Sequence, residues 1–320
     1  MTNYLNIYRR YALDLDRINS EAKNNAADFI HLTEKIYRHD LQFIAEQIIN
    51  GSNDRHIILL SGPSGSGKTT TAKKLSDEFK KHNVDVQLIS MDDFYLGIDY
   101  ICQTPDGKPD FECVEALDIP LIQKCLKQLA ETGECVIPKY DFTVSQRSSV
   151  TRKIKLNHNS IIILEGIHAL NPIFSDGMPE DKLIKVYVSV KQGIKSQEGY
   201  ALTNRDIRFI RRMVRDYSFR KVPPENMLNM WQSVCDGEEK YIRPYRYNAD
   251  FTVNSIHIYE PCVMKNIAME LFSQISKQNP NYQFIERLQT SLSRFESIDI
   301  SLIPENSLIR EFIGNSCYQY

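Results

Sequence analysis

Glycine and proline are scarce in this chain, with 13 of each in 320 residues. Their combined share of about 8% lies below the usual ~12%, which excludes collagen-like, elastin-like and broadly disordered proteins. Charge of one sign is also lacking, because 39 Lys and Arg stand against 41 Asp and Glu, for a net charge of −2. Proteins that hold duplex nucleic acid usually carry a basic excess, so we do not expect that partner.

Paired cysteines and long apolar runs are missing as well. The seven cysteines are scattered, without a Cys-x-x-C pair or zinc-finger spacing, so we expect reduced, buried thiols. The longest apolar runs, such as 161–164, fall far short of the ~20 residues that span a bilayer. The first residues carry charges where a secretory leader has its apolar centre. The protein is therefore predicted to be cytoplasmic, with no membrane partner.

Short apolar strands alternate with amphipathic helices along most of the chain. Such alternation predicts an α/β fold, with a parallel sheet flanked by helices on both faces. The strand candidates are 56–61, 84–90, 160–164, 185–190 and 250–254, with 153–156 as an edge strand. The helix candidates are 1–50, 69–81, 119–131, 203–247 and 260–297, followed by an irregular tail. Residues 96–117 contain two glycines and two prolines and are predicted to form a loop.

A phosphate-binding loop follows the first strand candidate. Residues 62–69 match the pattern G-x-x-x-x-G-K-[ST] between a strand and a helix. In this arrangement main-chain N–H groups and the helix N-terminus surround phosphate oxygens, while Lys68 reaches the β- and γ-phosphates and Thr69 reaches Mg²⁺. We therefore predict that the chain binds a nucleoside triphosphate. The residues concerned are Gly62, Pro63, Ser64, Gly65, Ser66, Gly67, Lys68, Thr69 and Thr70.

Two common classes of triphosphate-binding protein are not supported by the sequence. GTPases need an Asn-Lys-x-Asp motif, and the nearest match, at 204–206, lacks the lysine. Motor and remodelling ATPases usually end a strand in an Asp-Glu pair, whereas the strand at 161–164 ends in the single carboxylate of Glu165. That carboxylate is predicted at the carboxyl edge of a parallel sheet, where α/β proteins bind ligands.

Two carboxylates follow the second strand candidate. Asp92 and Asp93 are predicted to lie beside the phosphate loop, where an acceptor hydroxyl needs a base. A carboxylate there can deprotonate the hydroxyl and can also bind Mg²⁺ through water. The alternative is that both residues merely cap the next helix.

The helix candidate around 203–222 carries a nearly pure basic face. Spacings of three and four residues place four of its arginines on that face. They are Arg205, Arg208, Arg212 and Arg215, with Arg211 beside them and Arg220 just past the helix end. In a triphosphate-binding protein we interpret this helix as a lid that brings arginines to the transferring phosphoryl group. Structural ion pairs or a solvated face are the alternative.

Together these motifs resemble the uridine kinase and phosphoribulokinase family of P-loop kinases. The segments that carry the resemblance are GPSGSGKTT at 62–70, SMDDFY at 90–95, PKYDF at 138–142 with Arg147, ILEGIH at 163–168 and RRMVRDYSFR at 211–220. They occur in the family's order and cover roughly residues 55–255. The ending at 301–314, SLIPENSLIREFIG, is further similar to bacterial nucleoside kinases of this group.

The resemblance implies an enzyme that transfers the γ-phosphoryl group of ATP or GTP to the 5′-hydroxyl of a nucleoside. It implies Asp92 as general base and Mg²⁺ held by Thr69, Glu165 and Asp92. Lys68 and the lid arginines Arg212, Arg215 and Arg220 complete the implied catalytic set. The implied acceptor residues are Tyr95, Asp110, Glu112, Tyr140, Phe142 and Arg147. Glu112, or else Asp110, is expected on the ribose hydroxyls, with the rings of Tyr140 and Phe142 on the base.

Three positions depart from the uridine kinase pattern. Ser145 stands where a histidine contacts the pyrimidine, Val222 replaces an arginine, and Met230 replaces a glutamine. A sugar, a sugar phosphate or another polyol is therefore the alternative acceptor. A nucleotide sensor without turnover is the alternative from another class of protein. Tyr140 and Phe142 can also be plain core residues.

The motifs indicate one extended domain. A helical extension at 1–54 precedes a P-loop kinase core at 55–258, and a helical extension and tail follow at 259–320. The terminal helices can support a homo-oligomer or pack on their own core.

Overall fold

The computed structural model describes residues 14–51, 57–103, 107, 109–142 and 144–319. The start of the predicted N-terminal helix, the first residue of the 56–61 strand and Pro105 of the predicted loop lie outside these residues. Along the rest of the chain, strands and helices follow the predicted α/β alternation.

A five-stranded parallel sheet forms the centre of the fold. The strands of the described chain are β1 (Ile57–Ser61), β2 (Asp85–Ser90), β3 (Glu134–Ile137), β4 (Tyr140–Asp141), β5 (Gln146–Arg147), β6 (Arg152–Lys155), β7 (Ser160–Glu165), β8 (Leu183–Ser189), β9 (Ile194–Ser196), β10 (Gly199–Leu202) and β11 (Phe251–Asn254). The central sheet has the order β11-β8-β1-β7-β2, with every neighbouring pair parallel. The register sets Glu165 opposite both Leu60 and Ser90, which brings the carboxyl ends of three strands together.

Helices cover both faces of this sheet, as predicted. They are α1 (Leu15–Asn24), α2 (Ala26–Ile49), α3 (Lys68–Lys81), α4 (Ile119–Thr132), α5 (Asn204–Arg220), α6 (Pro224–Gly237), α7 (Glu260–Ser273), α8 (Tyr282–Ser293) and α9 (Arg310–Ile313). In β1, Ile58 and Leu60 enter one apolar core, whereas Ile57 and Leu59 enter the other. Strands buried on both faces are apolar at successive positions, which explains the continuous run of β1.

Three small antiparallel pairs lie outside the central sheet, and the sequence patterns missed most of their strands. The edge strand predicted at 153–156 is present as β6, which pairs with β3 and not with the central sheet. The other pairs are β4 with β5 and β9 with β10. Strands of two to four residues carry too few alternating positions to be recognised from hydrophobic period alone.

The described parts of both terminal extensions pack against the central fold. Residues of α1 and α2 share one apolar core with the sheet, and α2 contacts α3. The expected irregular tail is mostly well packed, because Leu308, Ile309 and Phe312 are fully buried. The division at 54 and 258 stays a prediction.

The cysteines differ from the expectation of seven reduced, buried thiols. Cys102 and Cys113 form a disulfide, and Cys317 is exposed. The other four cysteines are free and buried, as predicted. The error arose because the loop folds back on itself, with the Asp110 N–H donating to the Cys102 carbonyl at 2.7 Å, which spacing in sequence does not reveal. Among the described residues, no helix is both long and apolar enough to cross a bilayer.

Candidate active site

The phosphate loop connects β1 to the N-terminus of α3. Its glycines are required by close contacts: a Cβ at Gly62 would lie 2.0 Å from the Val188 carbonyl oxygen, and Gly67 has a φ of +82°. The loop hydroxyl of Ser66 is fully buried, and it finds no hydrogen-bond partner in the described structure. A buried hydroxyl without a partner is costly, so it suits a loop that awaits phosphate oxygens.

Thr69 and Glu165 meet beside this loop. The Thr69 hydroxyl donates to Glu165 Oε1 at 3.4 Å, and the Ser90 hydroxyl donates to the same oxygen at 2.9 Å. Burial, followed by the negative charge of Asp92, raises the pKa of Glu165 to about 7. The parallel register of β2, β7 and β1 therefore assembles the predicted group from three separate segments.

Asp92 lies just after β2. The main-chain N–H of Asp92 donates to the Ser90 hydroxyl at 3.3 Å. Burial raises the pKa of Asp92, while the nearby charges of Lys68, Arg220 and Arg215 oppose that rise. The pKa of Lys68 is in turn lowered by burial, against the attraction of Glu165 and Asp92. Lys68 Nζ donates to the Pro63 carbonyl at 3.3 Å.

The chemistry of this group fits a divalent cation. A hydroxyl and two carboxylates are the hard oxygen ligands that Mg²⁺ prefers, usually alongside substrate phosphates and water. Burial raises the pKa values of both Asp92 and Glu165, so keeping both carboxylates charged is unfavourable here. A bound cation would relieve that repulsion, so Thr69, Glu165 and Asp92 are suited to hold Mg²⁺.

The predicted basic face of α5 is divided by the fold into structural and site-facing arginines. Arg211 is fully buried and pairs with Glu260 at 2.5 Å, and Arg208 pairs with Glu238 at 2.6 Å. Arg205 pairs at the surface with Glu239. For these residues the alternative of structural ion pairs applies, because α5 packs its sides against α7 and the phosphate loop.

The predicted lid arginines lie together at the site end of α5. Arg212 donates to the Ser64 hydroxyl of the phosphate loop at 2.7 Å and lies 3.7 Å from Glu112 Oε1. Arg215 Nε and Arg220 Nε lie 2.7 Å and 3.6 Å from the Oδ1 atom of Asp216. Burial alone would raise the pKa of Asp216, but Arg215 and its neighbours hold it below the usual value. Asp216 thus holds Arg215 and Arg220 close to Asp92.

An acidic residue marks the acceptor side. Glu112 is part-buried, and burial raises its pKa while the Arg212 guanidinium opposes the rise. Asp110 is turned toward its own loop, where its Oδ1 accepts from the Glu112 N–H at 3.0 Å. The geometry therefore favours Glu112 over Asp110 as the acid that faces the phosphate loop.

Aromatic rings form a cluster next to this acid. The ring of Tyr95 lies 5.5 Å from that of Phe111, 5.7 Å from Tyr140 and 6.2 Å from Phe142, between centroids. Tyr140 and Phe142 are 4.9 Å apart in an edge-on arrangement. Tyr140 is buried, but Phe142 is 58% exposed and offers a free face to a ligand.

Arg147 holds the aromatic segment in place. Its guanidinium donates to the carbonyls of Tyr95 and Phe94, each at 3.1 Å, and pairs with Asp118 at 2.9 Å. These contacts use its charge within the protein. Its predicted role in acceptor binding stays a prediction.

The three positions that depart from uridine kinases lie in different places. Ser145 adopts a φ of +52° beside the aromatic cluster, Val222 packs against the core, and Met230 is 46% exposed on α6. Two residues near the site escaped sequence reasoning. His168 is buried against the rings of Phe174 and Tyr241, and Glu311 reaches the phosphate-loop helix from the C-terminal segment. Both residues belong to segments that resemble the kinase family, 163–168 and 301–314. Residue spacing alone could not predict what they contact.

The fold and the site define a class: a P-loop phosphotransferase, with a phosphate loop, clustered acids and arginines at one sheet edge. Residues 57–260 match the model of the Phosphoribulokinase / Uridine kinase family. The chain belongs to this family and is an ATP-dependent phosphotransferase.

The chain is also similar to individual proteins. The chain is 32% identical over 198 residues to a uridine kinase of Lactobacillus johnsonii, covering 62% of this chain and 85% of that protein. It is 33% identical over 200 residues to a uridine kinase of Borrelia duttonii, with coverages of 62% and 85%. Similar solved structures include a possible uridine kinase from Bacillus stearothermophilus, at 19% identity and a TM-score of 0.45, covering 67% of this chain and 97% of that one. Phosphoribulokinase from Rhodobacter spheroides has 15% identity, a TM-score of 0.42 and coverages of 63% and 70%.

Proposed function

We propose that the protein is a Mg²⁺-dependent nucleoside kinase that transfers the γ-phosphoryl group of ATP, or of GTP, to the 5′-hydroxyl of a nucleoside. The observation that supports the proposal is the position of Asp92 just after β2, beside Ser90, whose hydroxyl accepts from the Asp92 N–H and donates to Glu165. The charge of Asp92 interacts with Lys68 on the phosphate-loop side and with Glu112 on the acceptor side. A general base belongs at that junction, since it must touch the attacking hydroxyl.

The donor side supports a triphosphate. The Lys68 ammonium is placed to neutralise charge on the β- and γ-phosphates, and Arg212 already bonds the phosphate loop through Ser64. Mg²⁺ held by Thr69, Glu165 and Asp92 would neutralise phosphate charge in the same place. Catalysis is then mainly positioning and electrostatic stabilisation.

The acceptor side supports a nucleoside. Glu112 is suited to accept hydrogen bonds from ribose hydroxyls, and the exposed face of Phe142 is suited to pack on a planar base. Asp92 takes the proton of the 5′-hydroxyl as its oxygen attacks the γ-phosphorus. The bond from the γ-phosphorus to the bridging oxygen breaks, and the nucleoside diphosphate leaves with that electron pair. Uridine is the acceptor that the names of similar proteins give, so it is tested first, with cytidine as the second pyrimidine nucleoside.

An acceptor screen tests this proposal. The full chain is assayed for ADP or GDP release with Mg²⁺, each donor, and a panel of nucleosides, sugars, sugar phosphates and polyols. We expect turnover that depends on a nucleoside and that is lost in Lys68→Ala, because the charge partner of the β- and γ-phosphates is removed. Turnover with sugars only would move the assignment to another acceptor class. Binding of ATP without turnover for any acceptor would favour the sensor.

A further inference from the structure

The C-terminal segment 303–314 lies against the phosphate loop and α3. Leu308 packs over Gly67, where an added Cβ would come within 2.6 Å of Leu308 Cδ1. The Asn306 carbonyl accepts from Lys74 Nζ at 2.6 Å, on the same helix. This segment therefore forms one wall of the phosphate-binding region, although it follows that region by more than 200 residues in the chain.

Glu311 places a carboxylate on the first turn of α3. Its Oε2 accepts from the Thr70 N–H at 3.3 Å and from the Thr70 hydroxyl at 2.5 Å. Its Oε1 lies 3.9 Å from Arg215 Nη1. The side chain is buried, so these contacts are made largely out of water.

The place taken by this carboxylate is one that suits a phosphate. The first N–H groups of a helix have no partner within the helix, and together with the helix dipole they bind anions. Lys68 and Thr69 serve the β- and γ-phosphates and the metal. Thr70 is the next residue along, so we expect a bound nucleotide to bring the phosphate nearer the nucleoside, the α-phosphate, to its two donors.

Several contacts hold the segment rigidly. The Ser307 hydroxyl lies 3.0 Å from the Tyr259 hydroxyl, which donates to Glu34 at 2.6 Å. Phe312 lies under the Arg211 guanidinium, 5.1 Å from the ring centroid. The contacts of the neighbouring residues Ser307 and Phe312 therefore fix the position of Glu311 beside Thr70.

We propose that Glu311 is an internal anion that competes with the α-phosphate of a nucleotide for Thr70 and so lowers nucleotide affinity. This inference rests on the proposed triphosphate donor. The Glu311 carboxylate and the α-phosphate cannot both accept from the same two donors. The nucleotide must therefore displace the carboxylate, which lowers its affinity. Pyrophosphate, which needs only the Lys68 and Thr69 positions, does not compete for Thr70 and meets only the longer-range charge of Glu311.

Calorimetric titration tests the proposal without an activity assay. Wild type and Glu311→Gln are titrated with MgATP and with magnesium pyrophosphate. Glu311→Gln removes the charge and keeps the shape, so we expect it to tighten ATP binding about fivefold or more and to leave pyrophosphate within twofold. The matched control is Glu305→Gln, an exposed acid of the same segment, which is expected to change neither affinity.

The outcomes separate this inference from the proposed function. Unchanged or weaker ATP binding in Glu311→Gln would overturn the competition, as would an equal gain for pyrophosphate. Failure of ATP to bind either protein would overturn the triphosphate donor and this inference with it. Thermal unfolding checks that the variants fold. If Glu311→Gln does not fold, Glu311→Asp withdraws the carboxylate from Thr70 while keeping the charge, and a smaller gain in ATP affinity is expected.

Discussion

The phosphate-loop side and the acceptor side of the site are built in different ways. The phosphate-loop side is a contiguous turn whose main chain and helix N-terminus are proposed to bind phosphate, and its glycines are packed against Val188 and Leu308. The acceptor side combines rings and an acid from separate loops, and its ring of Phe142 is largely exposed. Under the proposed function, donor binding therefore depends mainly on backbone geometry, whereas acceptor choice depends on side chains that tertiary contacts bring together.

Arg212 joins the two sides. It contacts Ser64 of the phosphate loop and lies close to Glu112 of the acceptor side. Asp92 lies at the same junction, within the electrostatic reach of Lys68. Changes at this junction should therefore affect transfer itself, and changes on one side should affect one substrate.

The largest effect is expected for Asp92→Asn. Loss of the base should lower kcat by roughly 10²–10⁴ and leave ATP affinity nearly intact. Steady-state kinetics and ATP titration measure both quantities. The matched control is Asp93→Asn, because Asp93 accepts from the Tyr140 N–H at 3.4 Å and faces the aromatic cluster. If Asp93→Asn is the slower variant, the base has been assigned to the wrong carboxylate.

A smaller loss is expected for Arg212→Ala. Removing a cation that meets both sides should lower kcat by about 10²-fold, more than it weakens nucleoside binding. Arg205→Ala is the control, since Arg205 is a surface partner of Glu239 on the same helix. Equal kcat values for the two variants would show that Arg212, like Arg205, has a structural role.

The buried His168 makes stability depend on pH. Burial lowers its pKa from 6.5 to about 4, so between these values the unfolded chain binds a proton that the folded chain does not. Stability should therefore fall as the pH drops from about 6.5 to about 4, by about 3 kcal/mol from this residue. Denaturant unfolding of His168→Gln should show a flatter dependence, while the exposed His158→Gln should keep that of wild type. An unchanged slope in His168→Gln would show that the imidazole is already protonated or solvated.

The smallest effect is expected for Phe142→Ala. Loss of its exposed face should raise the KM for a nucleoside by about five- to tenfold, at the lower end of what ring–base stacking contributes, with ATP binding unaltered. The exposed Tyr247→Ala is the comparison variant. Equal KM values for the two would place the base elsewhere and remove the aromatic cluster from the acceptor pocket.

Much of the central fold followed from local pattern. Short apolar segments predicted the five central strands. The signal was clearest for β1 and β7, because a parallel strand covered on both faces is buried at every position. The short strands β3, β4, β5, β9 and β10 were missed, because their pairing depends on partners and not on period. The disulfide between Cys102 and Cys113 was missed for the same reason.

The phosphate loop and the acids that follow β2 and β7 could be located from the chain alone. A loop that binds through its own main chain needs a fixed local sequence, and carboxyl ends of parallel strands meet wherever the strands pair. The tertiary structure decided which arginines face the site, because Arg211 and Arg212 are neighbours on α5 yet differ in their partners, Glu260 and Ser64. It alone revealed Glu311, since a contact to Thr70 across 241 residues is made by folding and leaves no mark in spacing.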